Sequence, residues 1–332
     1  MKYSRSVRNL TSQPVIIAMS DDVHGIRYQS IAESSLSEKL FYEAKNLMKN
    51  ENNTLYDADL IVAITDKDAE NMKRYYNIPE EKIILWRFTY NTPTSSTSNI
   101  HSPVKPFSER NDLVFVGGPN QCNTDSIMWF GEKVLPIINE MMGTPIQLKV
   151  AGFVQLPKDW LKEHPYVKRL GLVPEIESLL AESKVFISPI IYGTGINTKN
   201  ILALSNSIPL VTTSFGSNAF LRNSQGEFDY MGVSDDPHEF AKLVLDRYTS
   251  ESSWNKYSSA GLNYVTNNHG LTALREDTIR CLDKVNRIRM NYISTFSESE
   301  SQAQTQLQMK PSSPISLKLN YAYAVFLVTM IN

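Results

Sequence analysis

Lys184-Val185-Phe186-Ile187-Ser188-Pro189, Ile190-Ile191-Tyr192-Gly193-Thr194-Gly195-Ile196-Asn197-Thr198-Lys199, Asn200-Ile201-Leu202-Ala203-Leu204-Ser205-Asn206 and Ile208-Pro209-Leu210-Val211-Thr212-Thr213 decide the fold. They read as strand, glycine loop, helix and strand, the unit of a parallel α/β sheet. A strand that feeds a glycine loop opening a helix gathers unpaired backbone N–H groups at the positive end of the helix dipole. Phosphate binds well there, and Lys199 in the first turn adds a full charge. Glycines in this place also make ordinary βα turns, so on this segment alone the two readings stand side by side. The spacing Gly-x-Gly-x-x-Thr lacks the third glycine of a dinucleotide fingerprint. The chain contains no Gly-x-x-x-x-Gly-Lys-Ser/Thr loop either.

Outward from this segment the alternation continues in both directions. Toward the N-terminus lie strands at Val15–Met19, Asp59–Ile64 and Lys82–Trp86, a long helical pattern from Arg27 to Lys49, and a helix capped by Asp66 that runs to Tyr76. Residues 89–110 are rich in Ser, Thr and Pro, cannot bury a core, and read as a linker. The pattern restarts at Leu113–Gly118, followed by a helix from about Thr124 to Glu140 that Asn123 and Asp125 would cap, and by strands at Ile146–Gly152 and Val167–Leu170. Helices near 237–250, 252–267 and 271–291 close the unit. The expected architecture is α/β with two Rossmann-like domains. The first, 1–88, is incomplete; the second, 111–292, is a doubly wound parallel sheet. Residues 293–332 form a disordered or ill-defined tail, with an apolar end from which peripheral membrane contact is conceivable.

Composition narrows the function. At 332 residues with 42% hydrophobic and 20% charged residues, the chain is that of a globular protein. A net charge of −2 offers no electrostatic footprint for nucleic acid. Cys122 and Cys281 are too few for a disulfide framework, and no signal peptide is evident, so a reducing, cytoplasmic compartment is the expectation. His24, His101, His164, His238 and His269 are scattered without ligand spacing, so no metal site is expected.

Several motifs, in order, resemble the glycosyltransferase group 1 family (family 4 of the sugar-nucleotide transferases), whose members have two facing Rossmann-like domains, the GT-B fold. Phe115-Val116-Gly117-Gly118-Pro119-Asn120 through Phe130 is similar to the family's glycine loop and Pro-Asn-x-Asp helix. Lys149-Val150-Ala151-Gly152 and Leu170-Gly171-Leu172-Val173 are similar to two of its strand ends, and Ile187–Thr213 resembles its glycine–lysine signature. Asp22-Val23-His24-Gly25-Ile26-Arg27 resembles its Asp-Leu-His-x-Leu-Arg turn, which makes this look like an N-terminally shortened member.

The resemblance implies transfer of a sugar from a nucleotide-sugar donor to a hydroxyl of a glycan, lipid or small-molecule acceptor. The donor is a co-substrate, and no metal or other cofactor takes part. Gly193, Thr194, Gly195, Ile196 and Asn197 would offer amides to the diphosphate beside Tyr192, and Lys199 would neutralise it. Gly117 and Gly118 would face the same phosphates, with the base near Gly171, Leu172 and Val173. Asp22, His24 and Arg27 would line the cleft near the reacting sugar; the alternative is that they are helix caps and turn formers. The sequence departs from the family at Thr194 and Leu202, where a Glu-x7-Glu pair is expected, and at Asn197, where a lysine is expected. The alternative function is a non-catalytic member that keeps a donor-domain fold with weak or no nucleotide binding.

Overall fold

The computed structural model describes residues 14–20, 23–90, 105–193 and 195–307, with the side chains of residue 34 and of 295–307 left aside. Asp22, Thr194, residues 91–104 of the expected linker and the tail beyond residue 307 lie outside the described residues.

The first sheet has strands β1 (Ile17–Ser20), β2 (Leu60–Ala63) and β3 (Ile83–Leu85), all parallel in the order β1-β2-β3. All four residues of β2 are buried, as a central strand covered on both faces must be. Between β1 and β2 the single helix expected from Arg27 to Lys49 is two, α1 (His24–Ser35) and α2 (Glu38–Tyr56). Leu36 breaks them at φ 50°, and the Ser37 hydroxyl caps α2 by accepting from the Leu40 amide at 3.4 Å. Serines favour caps over helix interiors, and Ser34-Ser35-Leu36-Ser37 supplies them. Helix α3 (Asp66–Tyr76) is capped by Thr65 rather than by Asp66: the Thr65 hydroxyl accepts from the Asp68 amide at 2.9 Å.

The second sheet has strands β4 (Asn111–Gly117), β5 (Leu148–Gly152), β6 (Val167–Gly171), β7 (Ser183–Ser188), β8 (Leu210–Thr212) and β9 (Gly232–Val233). Their order is β6-β5-β4-β7-β8-β9, every pair parallel, so the sheet is doubly wound as expected. One face is covered by α4 (Gln121–Trp129), α5 (Leu135–Met142), α6 (Lys158–Glu163) and α10 (Pro237–Thr249), around Phe115, Ile127, Phe130 and Phe240. The other is covered by α7 (Ile176–Glu182), α8 (Thr198–Ser205) and α11 (Glu251–His269), around Val114, Phe186, Ile201 and Leu204. A short α9 (Ser214–Ser217) follows β8. Connections leave β4 in one direction and β7 in the other, so the carboxyl ends of these two neighbours form the switch point where such sheets bind ligands.

Two crossings join the sheets. The chain leaves the first at Trp86, which packs beside Leu60, and Phe88 and Tyr90 already pack on the second core. The last helix, α12 (Leu271–Leu307), returns: Cys281, Val285 and Ile288 pack on Leu60, Ile17 and Ile84. The sequence reading closes the second domain with this helix and stops it near residue 291. The structure instead lays it across the first sheet and continues it to Leu307, since Glu, Gln and Ala are good helix formers. At the far end of the linker Arg110 is buried and donates to the carbonyls of Lys105 (2.8 Å), Leu180 (3.1 Å) and Ser183 (3.2 Å).

Candidate active site

A cleft of about 550 Å³ opens at the switch point, between α1 of the first sheet and the loops that follow β4 and β7. Arg27, Tyr28 and Ile31 form one wall. Opposite stand Gly118, Asn120, Gln121, Cys122 and Asn123 from the β4–α4 turn, and Ile190, Tyr192, Gly193 and Ile196 to Lys199 from the β7–α8 loop.

The β7–α8 loop needs its glycines. Gly193 has φ 126° and Gly195 φ 77°, values in the region that side chains rarely adopt. Asn197 stands at the N-cap of α8 without capping it; its side-chain amide donates to the Gly216 carbonyl at 3.5 Å. Among the described residues nothing accepts from the amides of Ile196, Asn197, Thr198 or Lys199, whereas the Asn200 amide is bonded to the Asn197 carbonyl at 2.8 Å. The Gly193 amide donates across the cleft to the Ser30 hydroxyl at 3.4 Å.

Lys199 is half-buried as a residue, but its ammonium lies deep. It donates to the Asn123 side-chain oxygen and sits 4.4 Å from the centre of the Phe115 ring. Burial lowers its pKa to about 8, opposed only by the nearby Cys122 thiol. Burial in turn pushes the Cys122 thiol up, and that thiol donates to the Tyr192 carbonyl at 3.0 Å. The Tyr192 hydroxyl donates to Asp125 at 2.6 Å, so two bonds tie the loop to α4; burial, then that bond, raises the tyrosine's pKa.

The β4–α4 turn is equally specific. A Cβ on Gly152 would stand 2.2 Å from the Gly117 carbonyl oxygen, so the ends of β4 and β5 approach as closely as they do only because residue 152 is glycine. Asn120, rather than Asn123 or Asp125, caps α4: its side-chain oxygen accepts from the Asn123 amide at 2.8 Å.

Of the residues singled out in the sequence, Arg27, Gly118, Tyr192, Gly193, Ile196, Asn197 and Lys199 meet in this cleft, with Gly117 and Gly195 adjoining in the chain. Gly171, Leu172 and Val173 lie outside its lining; Leu172 is 68% exposed and Gly171 has φ 72°. His24 also stands behind the wall. Its Nδ1 accepts from Arg27 Nη2 at 2.6 Å, which leaves a neutral imidazole's proton on Nε2. The amides of His24 and Gly25 are capped by buried Glu51 at 2.7 and 2.8 Å, so the N-terminus of α1 is already satisfied by a carboxylate. Tyr28, Ile31 and Cys122 escaped the sequence reading of the site, and Asn123 entered it only as a cap, because their roles depend on partners far away in the chain.

Residues 110–250 match the model of the family described as "Glycosyl transferases group 1". The chain is 22% identical over 253 residues to an "uncharacterized 44.6 kDa protein in cps region" of Klebsiella pneumoniae; the match covers 71% of this chain and 60% of that one. Among solved structures, S. aureus TarM, in a complex containing UDP and alpha-GlcNAc-glycerol, superposes with a TM-score of 0.57 at 12% identity over 73% of this chain and 46% of its own. HepE of Anabaena with UDP and glucose gives 0.55 at 14% identity, over 81% and 71%. The chain therefore spans 60% of the curated relative's length and 46% of TarM's. Residues 110–250 are thus similar in sequence to the group 1 glycosyl transferases, and the fold is that of the GT-B structures TarM and HepE.

Proposed function

We propose that the protein is a glycosyltransferase that moves a sugar from a nucleotide-sugar donor to a hydroxyl of a glycan, lipid or small-molecule acceptor. The observation that carries this is the set of unbonded amides at Ile196–Lys199 and the Lys199 ammonium, gathered on one wall of a cleft with Arg27 opposite. Glycosyl transfer passes through an oxocarbenium-like state in which positive charge grows on the sugar and negative charge on the departing diphosphate. Donors aimed at that growing charge are worth most where water is excluded. The α8 N-terminus and Lys199 fill that role without a metal, and Arg27 meets the sugar or the acceptor from the facing domain. His24 acts through Arg27, by fixing the guanidinium. Asp22 and Thr194 keep the roles the resemblance implies for them. UDP is the first base to try, since TarM and HepE are described in complex with it.

A second reading, a donor-domain protein without turnover, is favoured by Leu202. That residue packs on the second apolar cluster where the family places a ribose-binding carboxylate, and a leucine accepts nothing. Calorimetry of the folded chain with UDP, GDP and ADP, followed by assay of the sugar form of whichever binds, separates the two. The expected result is binding of one nucleotide with uptake of a proton near pH 8, as the diphosphate charges Lys199. Binding without transfer to any acceptor favours the second reading; no binding by any of the three overturns the first.

A further inference from the structure

We propose that Asn123 is the positioning residue of this cleft: its amide group locks the Lys199 ammonium and the Gly118 turn into one anion-facing unit, through a neutral acceptor that leaves the ammonium's charge to the ligand. The inference deepens the donor reading and rests on it.

Asn123 is buried, with 3% of its surface accessible. Its backbone amide is held by the Asn120 cap at 2.8 Å, so its side chain has no capping duty. That side chain donates from Nδ2 to the Gly118 carbonyl at 3.1 Å and accepts at Oδ1 from Lys199, 76 residues away in the chain. Chemistry forces the orientation of the amide: a lysine only donates and a carbonyl only accepts, so Oδ1 must face Lys199 and Nδ2 must face Gly118. A Cβ on Gly117 would meet Asn123 Nδ2 at 2.9 Å and Cγ at 3.0 Å, so the glycine is what admits the asparagine to this place. The ammonium's other support, the Phe115 ring, is neutral as well. Among the described residues no carboxylate lies within 4.0 Å of Lys199. An aspartate at 123 would be almost isosteric, but it would pair with the ammonium, cancel its charge and lose the donor to Gly118.

The test is a double-mutant cycle read by calorimetry with inorganic pyrophosphate, which carries the diphosphate without the base. The full chain is used as wild type, Asn123→Ala, Asn123→Asp, Lys199→Met and the Asn123→Ala/Lys199→Met double variant, each checked for folding by thermal melting. Hydrogen bonds to charged groups predict that Asn123→Ala weakens pyrophosphate by about tenfold. Asn123→Asp is expected to weaken it at least as much at pH 7 despite its shape. With Lys199 already replaced, Asn123→Ala should change affinity by less than about twofold, the signature of residues that act as one. A full tenfold loss in the Lys199→Met background, or wild-type affinity in Asn123→Asp, overturns the proposal. If Asn123→Ala does not fold, Asn123→Ser replaces it in the same cycle. Failure of folded wild type to bind pyrophosphate also overturns the proposal, while the donor reading is judged separately by UDP, GDP and ADP.

Discussion

The two ends of the junction between the sheets are built on opposite principles. At the crossing, polar groups are bonded from one side to the other. Arg87 donates to Asp277 through its backbone amide (2.9 Å), Nε (3.2 Å) and Nη2 (2.8 Å). His269 bonds the Phe88 carbonyl through Nδ1 (2.7 Å), and the Tyr90 amide donates back to the His269 carbonyl (2.8 Å). Lys284 reaches the Ile83 carbonyl at 2.9 Å. At the cleft, the Gly193 amide reaches Ser30 at a loose 3.4 Å, and among the described residues the first α8 amides have no acceptor and the buried Lys199 ammonium no counter-ion. A satisfied polar network gives rigidity, and an unsatisfied one marks where a ligand completes the structure. On the proposed function, the contrast gives stability to one end and binding to the other.

The largest effect that can test this is at the crossing. Asp277 is fully buried, and burial alone would push its carboxyl up. The Arg87 hydrogen bonds and the nearby Arg280 more than reverse this and hold it below the usual range. Arg87→Ala leaves Asp277 only the backbone amide of residue 87 and Arg280, and loss of the two guanidinium hydrogen bonds to a charged group costs about 2 kcal/mol. Urea denaturation should show this loss of stability. A change below about 0.5 kcal/mol would mean that the crossing does not clamp the sheets.

A smaller effect is expected from acid. Burial pushes His269 below its ordinary pKa; the Phe88 carbonyl opposes this, Arg87 adds to it and Asp277 counters. As pH falls through about 6.5 the unfolded chain takes up a proton that folded His269 resists, so stability declines from there toward the depressed folded pKa. Melting curves between pH 7.5 and 5 should show the decline, and His269→Gln should flatten it. An equally steep decline in that variant would move the titration elsewhere.

These partners explain which parts of the molecule could be read without a structure. The β7–α8–β8 unit was legible because Val185–Ser188 and Leu210–Thr212 are apolar runs bounded by glycine and proline, and such runs encode a buried parallel strand locally. The break at Leu36 was hidden because the apolar spacing continues through it, and only the serines betray it. Asn120 and Asn123 are both fit to cap, and only the fold decides that the first caps α4 while the second reaches Lys199. The apolar face of α12 announces burial but not against which sheet, so the contact of Cys281 and Val285 with Leu60 could not be foreseen. The loop residues of the cleft came through the glycine–lysine signature. The wall from α1 came only as Arg27, because Tyr28 and Ile31 look like any helix surface.

At the cleft the contrast predicts an effect of opposite sign. Lys199 titrates near 8 in the folded chain against 10.5 for an ordinary lysine, so below pH 8 the protein bears the cost of burying a charge. Between about 8 and 10.5 the unfolded chain holds a proton that the folded chain does not, so stability rises with pH through that window. Lys199→Met removes the buried charge but strands the Asn123 oxygen, an offset that leaves a net gain on the order of 1 kcal/mol at pH 7. The gain should fade as pH climbs toward 10.5, while affinity for pyrophosphate falls at neutral pH. Thermal melting of the two proteins at pH 7 and pH 10, beside pyrophosphate titrations, measures both effects together. A variant less stable than wild type at pH 7 would make Lys199 a strut of the fold, and the division of labour between crossing and cleft would fail at its central residue.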